Sequence, residues 1–143
     1  DAPTAITRLI DIGVPNFLLA DTIRGILAQR LVRVICPECR EVDNDPLQNE
    51  RAATLFPESK VTLYRGRGCK KCAFTGFWGR SGIFELLTMD SSIHQLIVKN
   101  ADARKLRDTA RQNGMRTLME DGLLKVKAGA TTINEIFRAT QEL

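Results

Sequence analysis

Hydrophobic spacing along the first third of the chain predicts helix, then helix, then strand. Ile6, Leu9 and Ile10 share one stripe of a helix that Asp1 can cap, with Pro3 tolerated in its first turn and Gly13 and Pro15 ending it. A second stripe, Leu19, Ile23, Ile26 and Leu27, predicts a helix from about Asn16. LVRVI (31–35) is β-branched around a polar Arg33, the pattern of a strand. Regularity then fails. From 36 to 80, proline, glycine, cysteine and asparagine interrupt every run, leaving LQNERAATLF (47–56) as a helix and VTLYR (61–65) as a short strand. GIFELLTM (82–89) is again strand-like. From Ser91 the spacing is helical to the end, in SIHQLIVK, DARKLRDTARQNG, MRTLMEDGLLKVKAG and TTINEIFRATQEL. Gly114 and Gly129 act as stops, and Thr132 with Glu135 forms a capping box. The expected class is α+β.

Composition adds bounds. A chain of 143 residues makes one domain, or two small units. No apolar run approaches the ~18–20 residues that span a bilayer, and no secretory leader is legible. Asp1 stands where an initiator methionine would, which suggests a piece of a longer chain. The net charge of +4 is too mild for a nucleic-acid-binding tail. Its distribution says more: Lys60, Arg65, Arg67, Lys70, Lys71 and Arg80 lie between 60 and 84 with no acid among them.

The chemistry sits in that stretch. All cysteines come in pairs, CPEC (36–39) and CKKC (69–72). In Cys-x2-Cys both sulfurs of one turn reach the same point, and two such turns complete a four-thiolate shell around Zn2+. The 29-residue spacer must carry structure of its own. Glycines 66, 68 and 76 let backbone N–H groups approach the sulfurs. Four thiolates and Zn2+ carry a formal charge of −2, which Arg65, Arg67, Lys70 and Lys71 can offset. Two disulfides would need an oxidising compartment, a redox Cys-x2-Cys needs one pair beside a βαβ unit, and iron in a tetrathiolate site is the chemical alternative. Four protein ligands leave no open position, so the expected metal is structural.

Little else suggests catalysis. There is no phosphate-binding Gly-x4-Gly-Lys-Ser/Thr, no Gly-x-Gly-x2-Gly and no His-Glu-x2-His. The sole histidine, His94, reads as a surface residue. Phe74, Phe77 and Trp78 read as a packing lid over the metal loop rather than a base-stacking platform. Gly122 lies inside a helical pattern, where glycine costs ~1 kcal/mol against alanine, so it marks either a close contact or a helix break. A zinc-ribbon nucleic-acid binder remains an alternative to a module of a larger machine, and salt-dependent binding would distinguish it.

AITRLIDIGVPNFLLADTIRGILAQRLVRVICPEC, GCKKCAFTGFWGRSGIFELL and NGMRTLMEDGLLKVKAGATTINEIFRAT resemble the C-terminal region of the type II secretion ATPases of the GspE/PulE type, relatives of the PilB-type pilus assembly ATPases. The resemblance implies the C-terminal end of a RecA-like α/β core (1–35), an inserted tetracysteine zinc-binding subdomain (36–80), a returning core strand (81–90) and a helical C-terminal subdomain (91–143). It implies zinc ligands Cys36, Cys39, Cys69 and Cys72 and no catalytic residue in this stretch. The Walker A lysine and the Walker B acids would lie upstream, so ATP and Mg2+ belong to the full-length parent. It further implies a cytoplasmic hexamer held at the inner membrane by platform and anchoring proteins, with no membrane span of its own and nucleic acid not expected as a partner. Arg8 and Arg30 are candidate nucleotide or intersubunit contacts, with structural ion pairing as the alternative. CPEC with CKKC and the TRLIDIGVP run favour the secretion branch over pilus assembly.

Overall fold

The computed structural model describes residues 1–140 and is a mixed helix and sheet fold. In chain order its elements are α1 (Ala2–Asp11), α2 (Asn16–Thr22), β1 (Gly25–Ile35), β2 (Arg40–Val42), α3 (Pro46–Leu55), β3 (Tyr64–Gly66), β4 (Phe77–Thr88), α4 (Ser91–Val98), α5 (Ala103–Gln112), α6 (Leu118–Lys127) and α7 (Ile133–Thr140). The expected helical residues 141–143 lie outside the described residues. No described helix is long and apolar enough to cross a membrane.

β1 pairs with β4, and β2 with β3. The Met89 N–H donates to the Arg24 carbonyl at one end of the long ladder and the Cys36 N–H to the Gly76 carbonyl at the other, so β1 and β4 run antiparallel. The strand-like runs 31–35 and 82–89 lie on these two strands but not abreast: the end of β1 meets the start of β4 near Gly76, and the 82–89 run lies beside the start of β1, with Gly25 against Leu87. Both strands are longer than the runs suggested. In β4, Ile83, Glu85 and Leu87 are buried while Phe84 and Leu86 are exposed, the two-residue alternation of a strand with one covered face.

Two expectations need correction. Ile26 and Leu27 belong to β1, because α2 stops at Thr22 and Ile23 is already extended at ψ 131°. The spacing that placed both on a helical stripe equally permits a strand, where they face opposite ways: Ile26 packs on the core while Leu27 is 57% exposed. The strand expected at 61–65 is β3 at 64–66, with pairings Arg40↔Gly66, Glu41↔Arg65 and Val42↔Tyr64. β2 sets that limit, since after Val42 the chain turns toward Asp45, which caps α3.

The residues form two compact units. The first comprises 1–29 and 84–118. Ala2, Ile6, Leu19, Leu87, Ile93, Ile97 and Leu106 form its core. Asp1, Asp90 and Asp102 cap α1, α4 and α5 through their carboxylates, as short acidic residues do at orphan helix N–H groups. Glu85, 3% exposed, accepts hydrogen bonds from the N–H of Ala2 at 2.8 Å and of Leu118 at 3.3 Å, placing one buried carboxylate at two helix N-termini.

The second unit comprises 30–83 and 119–143. Val32, Ile35, Leu63, Ile83, Val126, Ile133 and Ile136 are among its buried aliphatics. α6 runs unbroken through Gly122, where a Cβ would stand 2.7 Å from Ile136 Cγ2, so the glycine marks a close helix approach rather than a break. Thr132 Oγ1 accepts from the Glu135 N–H at 3.3 Å, one half of the expected capping box. The other half is absent. The Glu135 carboxylate turns instead to β1, where it accepts from the Arg33 N–H at 3.1 Å and the Arg33 guanidinium at 2.6 Å.

Candidate metal centre

Local backbone geometry builds the cysteine cluster. Cys36 ends β1, and the Cys39 N–H closes a turn by donating to the Cys36 carbonyl. The second turn is tied to the first twice, by Arg67 N–H to Cys39 carbonyl and by Cys36 N–H to Gly76 carbonyl. Gly66 and Gly76 make that approach possible. A Cβ on Gly66 would lie 2.0 Å from the Gly76 carbonyl oxygen, and Gly76 has φ +78°. After Cys72 the chain takes two left-handed steps, Ala73 (φ 49°) and Phe74 (φ 61°), each strained by ~1–2 kcal/mol.

The four sulfurs lie within 4.8 Å of one another. Cys36–Cys69 and Cys39–Cys72 are 3.9 Å apart and Cys69–Cys72 is 3.7 Å. A tetrahedral ion with bonds of ~2.3 Å to sulfur sets its ligands ~3.8 Å apart. A disulfide would need ~2.05 Å, and all four cysteines are free. Cys36, Cys39 and Cys72 are buried and Cys69 is half-buried. The residues therefore form a possible metal site compatible with structural zinc.

The electrostatics fit a cationic guest. Burial pushes the Cys39 thiol up to about 12. Burial acts the same way on Cys72, yet the N–H groups of Cys69 (3.2 Å) and Gly76 (3.3 Å) donate to its sulfur and bring it down to about 6. A packed set of thiols so divided resists full ionisation without a cation at its centre.

The basic residues are less free than their sequence suggests. Lys71 Nζ pairs with Glu38 at 2.7 Å and Arg65 Nε with Glu41 at 3.0 Å, so acids on the CPEC side meet cations on the CKKC side. The glutamate, ahead of the sulfurs, raises the Lys71 pKa. The aromatic lid is not formed: Phe74 is 73% and Trp78 55% exposed. At Phe74 the backbone does the packing, its carbonyl oxygen standing 2.8 Å from where a Gly68 Cβ would be. Phe77 instead carries the Arg33 guanidinium 4.2 Å over its ring.

The remaining candidates are scattered. Arg8 on α1 and Arg30 on β1 are exposed, and neither forms an ion pair among the described residues. His94 Nε2 lies 3.0 Å from Asp21 Oδ1, an exposed hydrogen-bonded contact between α4 and α2. Sequence reasoning missed Glu85 and the second role of Glu135. The available signal was a carboxylate at the inward register of β4 in the first case. For Glu135 there was none, because its partner Arg33 is remote in sequence.

The family model described as "Type II/IV secretion system protein" matches residues 1–138. The chain is 42% identical over 144 residues to the type IV pilus assembly ATPase PilB of Thermus thermophilus, covering 99% of this chain and 16% of that protein. It is 40% identical to the type II secretion system protein E of Pseudomonas aeruginosa, over 96% of this chain and 27% of the relative. To the type II secretion system ATPase E of Vibrio cholerae it is 37% identical, over 96% and 27%. The chain thus spans about a quarter or less of these relatives' lengths. With a family match over nearly all its residues and identities near 40%, the chain belongs to the type II/IV secretion system protein family.

Proposed function

We propose that the chain is the C-terminal portion of a hexameric ATPase that powers type II protein secretion, with Cys36, Cys39, Cys69 and Cys72 holding a structural Zn2+. The observation that carries this reading is the tetrahedral spacing of four free sulfurs in a chain of this family. Zinc in such a shell supplies a crosslink and has no open position for water. The chain's own part is to hold the two turns in register through the Gly66–Gly76 contact and the Cys36–Gly76 and Arg67–Cys39 bonds.

In this reading 1–35 and 81–90 close a RecA-like core, 36–80 is the zinc insertion and 91–143 the helical C-terminal subdomain. The β1–β4 pairing supports an insertion here, since the segment between Ile35 and Phe77 loops out of one ladder, while 77–80 already belong to β4. The nucleotide site lies upstream, so ATP and Mg2+ bind the parent and not these residues. In this reading Arg8 and Arg30, both exposed, are the residues that meet nucleotide or a neighbouring subunit in the hexamer. The parent works in the cytoplasm against the inner membrane, through platform and anchoring proteins. The zinc module offers them, or the next subunit, a fixed surface that passes on the ATPase stroke. Ion pairing of Lys71 and Arg65 leaves less free charge for a polyanion, which weighs against the zinc-ribbon alternative.

Type IV pilus assembly is the second reading, favoured by the 42% identity to PilB. Deleting the gene distinguishes them: loss of protein export with pili intact supports the first, and the converse supports the second. Zinc-site variants of the full-length protein that still fold and hydrolyse ATP should lose export. Normal export by such variants overturns the role given to the zinc module.

A further inference from the structure

Away from the cysteines, Leu31, Arg33, Arg80 and Arg138 line a hollow of about 330 Å³ in the second unit. Two of its arginines are held in place. The Glu135 carboxylate, 3% exposed, accepts two bonds from Arg138, Nε at 3.1 Å and Nη2 at 2.8 Å, and one from Arg33 Nη2 at 2.6 Å. Arg33 is fixed a second time by stacking on Phe77. Arg80 makes no ion pair among the described residues.

Arg33 and Arg80 lie on paired strands and line the same hollow. Like charges brought abreast on a ladder are destabilising, and the fold keeps a third guanidinium beside them. Three arginines against one glutamate leave an excess of two positive charges (3 − 1 = 2). A guanidinium has five N–H donors, so the donors that Glu135 does not use remain to face an incoming oxyanion. Arginines whose rotamers are already locked lose less entropy on binding one.

We propose that this hollow binds a dianionic phosphate group, with Arg33, Arg80 and Arg138 donating to its oxygens and Glu135 as the positioning residue. The match is in charge and in geometry. A phosphate monoester or inorganic phosphate neutralises the two excess charges, where one carboxylate would leave one, and guanidinium forks suit phosphate oxygens bidentately. The site does not depend on the zinc reading or on an upstream nucleotide site. Inorganic phosphate and a lipid phosphomonoester share this chemistry.

The test is titration of the 143-residue chain with inorganic phosphate and with pyrophosphate at low salt, followed by guanidinium side-chain NMR. A second arm measures sedimentation with phosphatidylcholine vesicles with and without phosphatidic acid. Saturable shifts confined to Arg33, Arg80 and Arg138 are expected. Arg80→Gln should weaken binding at least ~10-fold, and without phosphate it should unfold at the same temperature as the parent or higher, because cross-strand repulsion is relieved. Arg80→Lys should restore part of the affinity. Glu135→Gln should weaken binding while broadening the Arg138 resonance, which a residue uninvolved in positioning would not do. Vesicle binding that needs phosphatidic acid and is lost in Arg80→Gln, with free phosphate weak, assigns the site to a lipid headgroup; the reverse assigns it to a soluble phosphate. Absence of saturation in both arms, or affinity unchanged in Arg80→Gln, overturns the proposal.

Discussion

Replacing Glu135 by glutamine tests the packing of α7 on β1. The carboxylate is nearly inaccessible and accepts four hydrogen bonds, from the Arg33 N–H and guanidinium and twice from Arg138. Burial by itself raises its pKa, but the two arginines and the Arg33 N–H outweigh it and hold the group at about 2 against an ordinary 4.5. At 1.36 kcal/mol per tenfold in proton affinity that difference corresponds to about 3 kcal/mol. Both arginine side chains are substantially exposed, 44% and 61%, so solvent screening lowers the expected contribution to about 2 kcal/mol. The folded-state pKa is the depressed one. The contribution is therefore complete above the unfolded value near 4.5 and disappears as pH falls toward 2. Glutamine keeps one acceptor for the Arg33 N–H but sets an amide donor against a guanidinium. Urea unfolding at pH 7, read from the fluorescence of Trp78, should show Glu135→Gln less stable by about 2 kcal/mol. The gap between the two chains should then close between pH 5 and pH 2, whatever either loses to acid elsewhere. A gap below about 0.5 kcal/mol at pH 7, the level of an exposed pair, refutes the argument.

Other outcomes follow from the same contacts. Gly66→Ala should abolish metal binding with every cysteine in place, because its Cβ would sit 2.0 Å from the Gly76 carbonyl oxygen; metal content of the purified variant checks this. Gly122→Ala gains about 1 kcal/mol of helix propensity but forces its Cβ against the stiff, branched Ile136. Overpacking costs of about 1–3 kcal/mol should make it net destabilising, with Ile136→Val in the same chain restoring part of the loss in thermal unfolding. Cys69→Ser should remove amide-exchange protection from the cysteine turns and from β2 and β3 while α1, α2, α4 and α5 keep theirs. Protection retained in those turns would contradict a metal-dependent fold. Phe74→Ala should change neither metal stoichiometry nor melting temperature measurably, since the ring is 73% exposed.

What was legible in the sequence was local. Asp1 as a cap, Gly114 and Gly129 as left-handed stops, and the short helix after Asp45 each depend on a few adjacent residues. The cysteine cluster was also readable, because Cys-x2-Cys places two sulfurs together by turn geometry and a doubled turn needs one guest. Features that depend on partners remote in sequence were not readable. Ile26 and Leu27 followed a helical stripe, and only the pairing of β1 with β4 makes them strand residues. Glu135 fits a capping box until Arg33 arrives from β1 with two competing donors, its N–H and its guanidinium. Arg65 and Lys71 read as counter-charge to the thiolates, because their carboxylate partners Glu41 and Glu38 come from the other side of the spacer. Phe74 read as a lid because sequence does not show that its backbone, in a left-handed turn, does the packing.

Zinc modules draw ~10–16 kcal/mol of apparent binding energy from their metal, more than the few aliphatics of the 36–80 stretch could supply at ~1.5–3 kcal/mol each. The most direct test is therefore native mass spectrometry of the purified chain, with X-ray absorption at the metal edge. One zinc ion per polypeptide, surrounded by four sulfurs at ~2.3 Å, is the expected result. A metal-free chain whose cysteine turns are nonetheless ordered would contradict it.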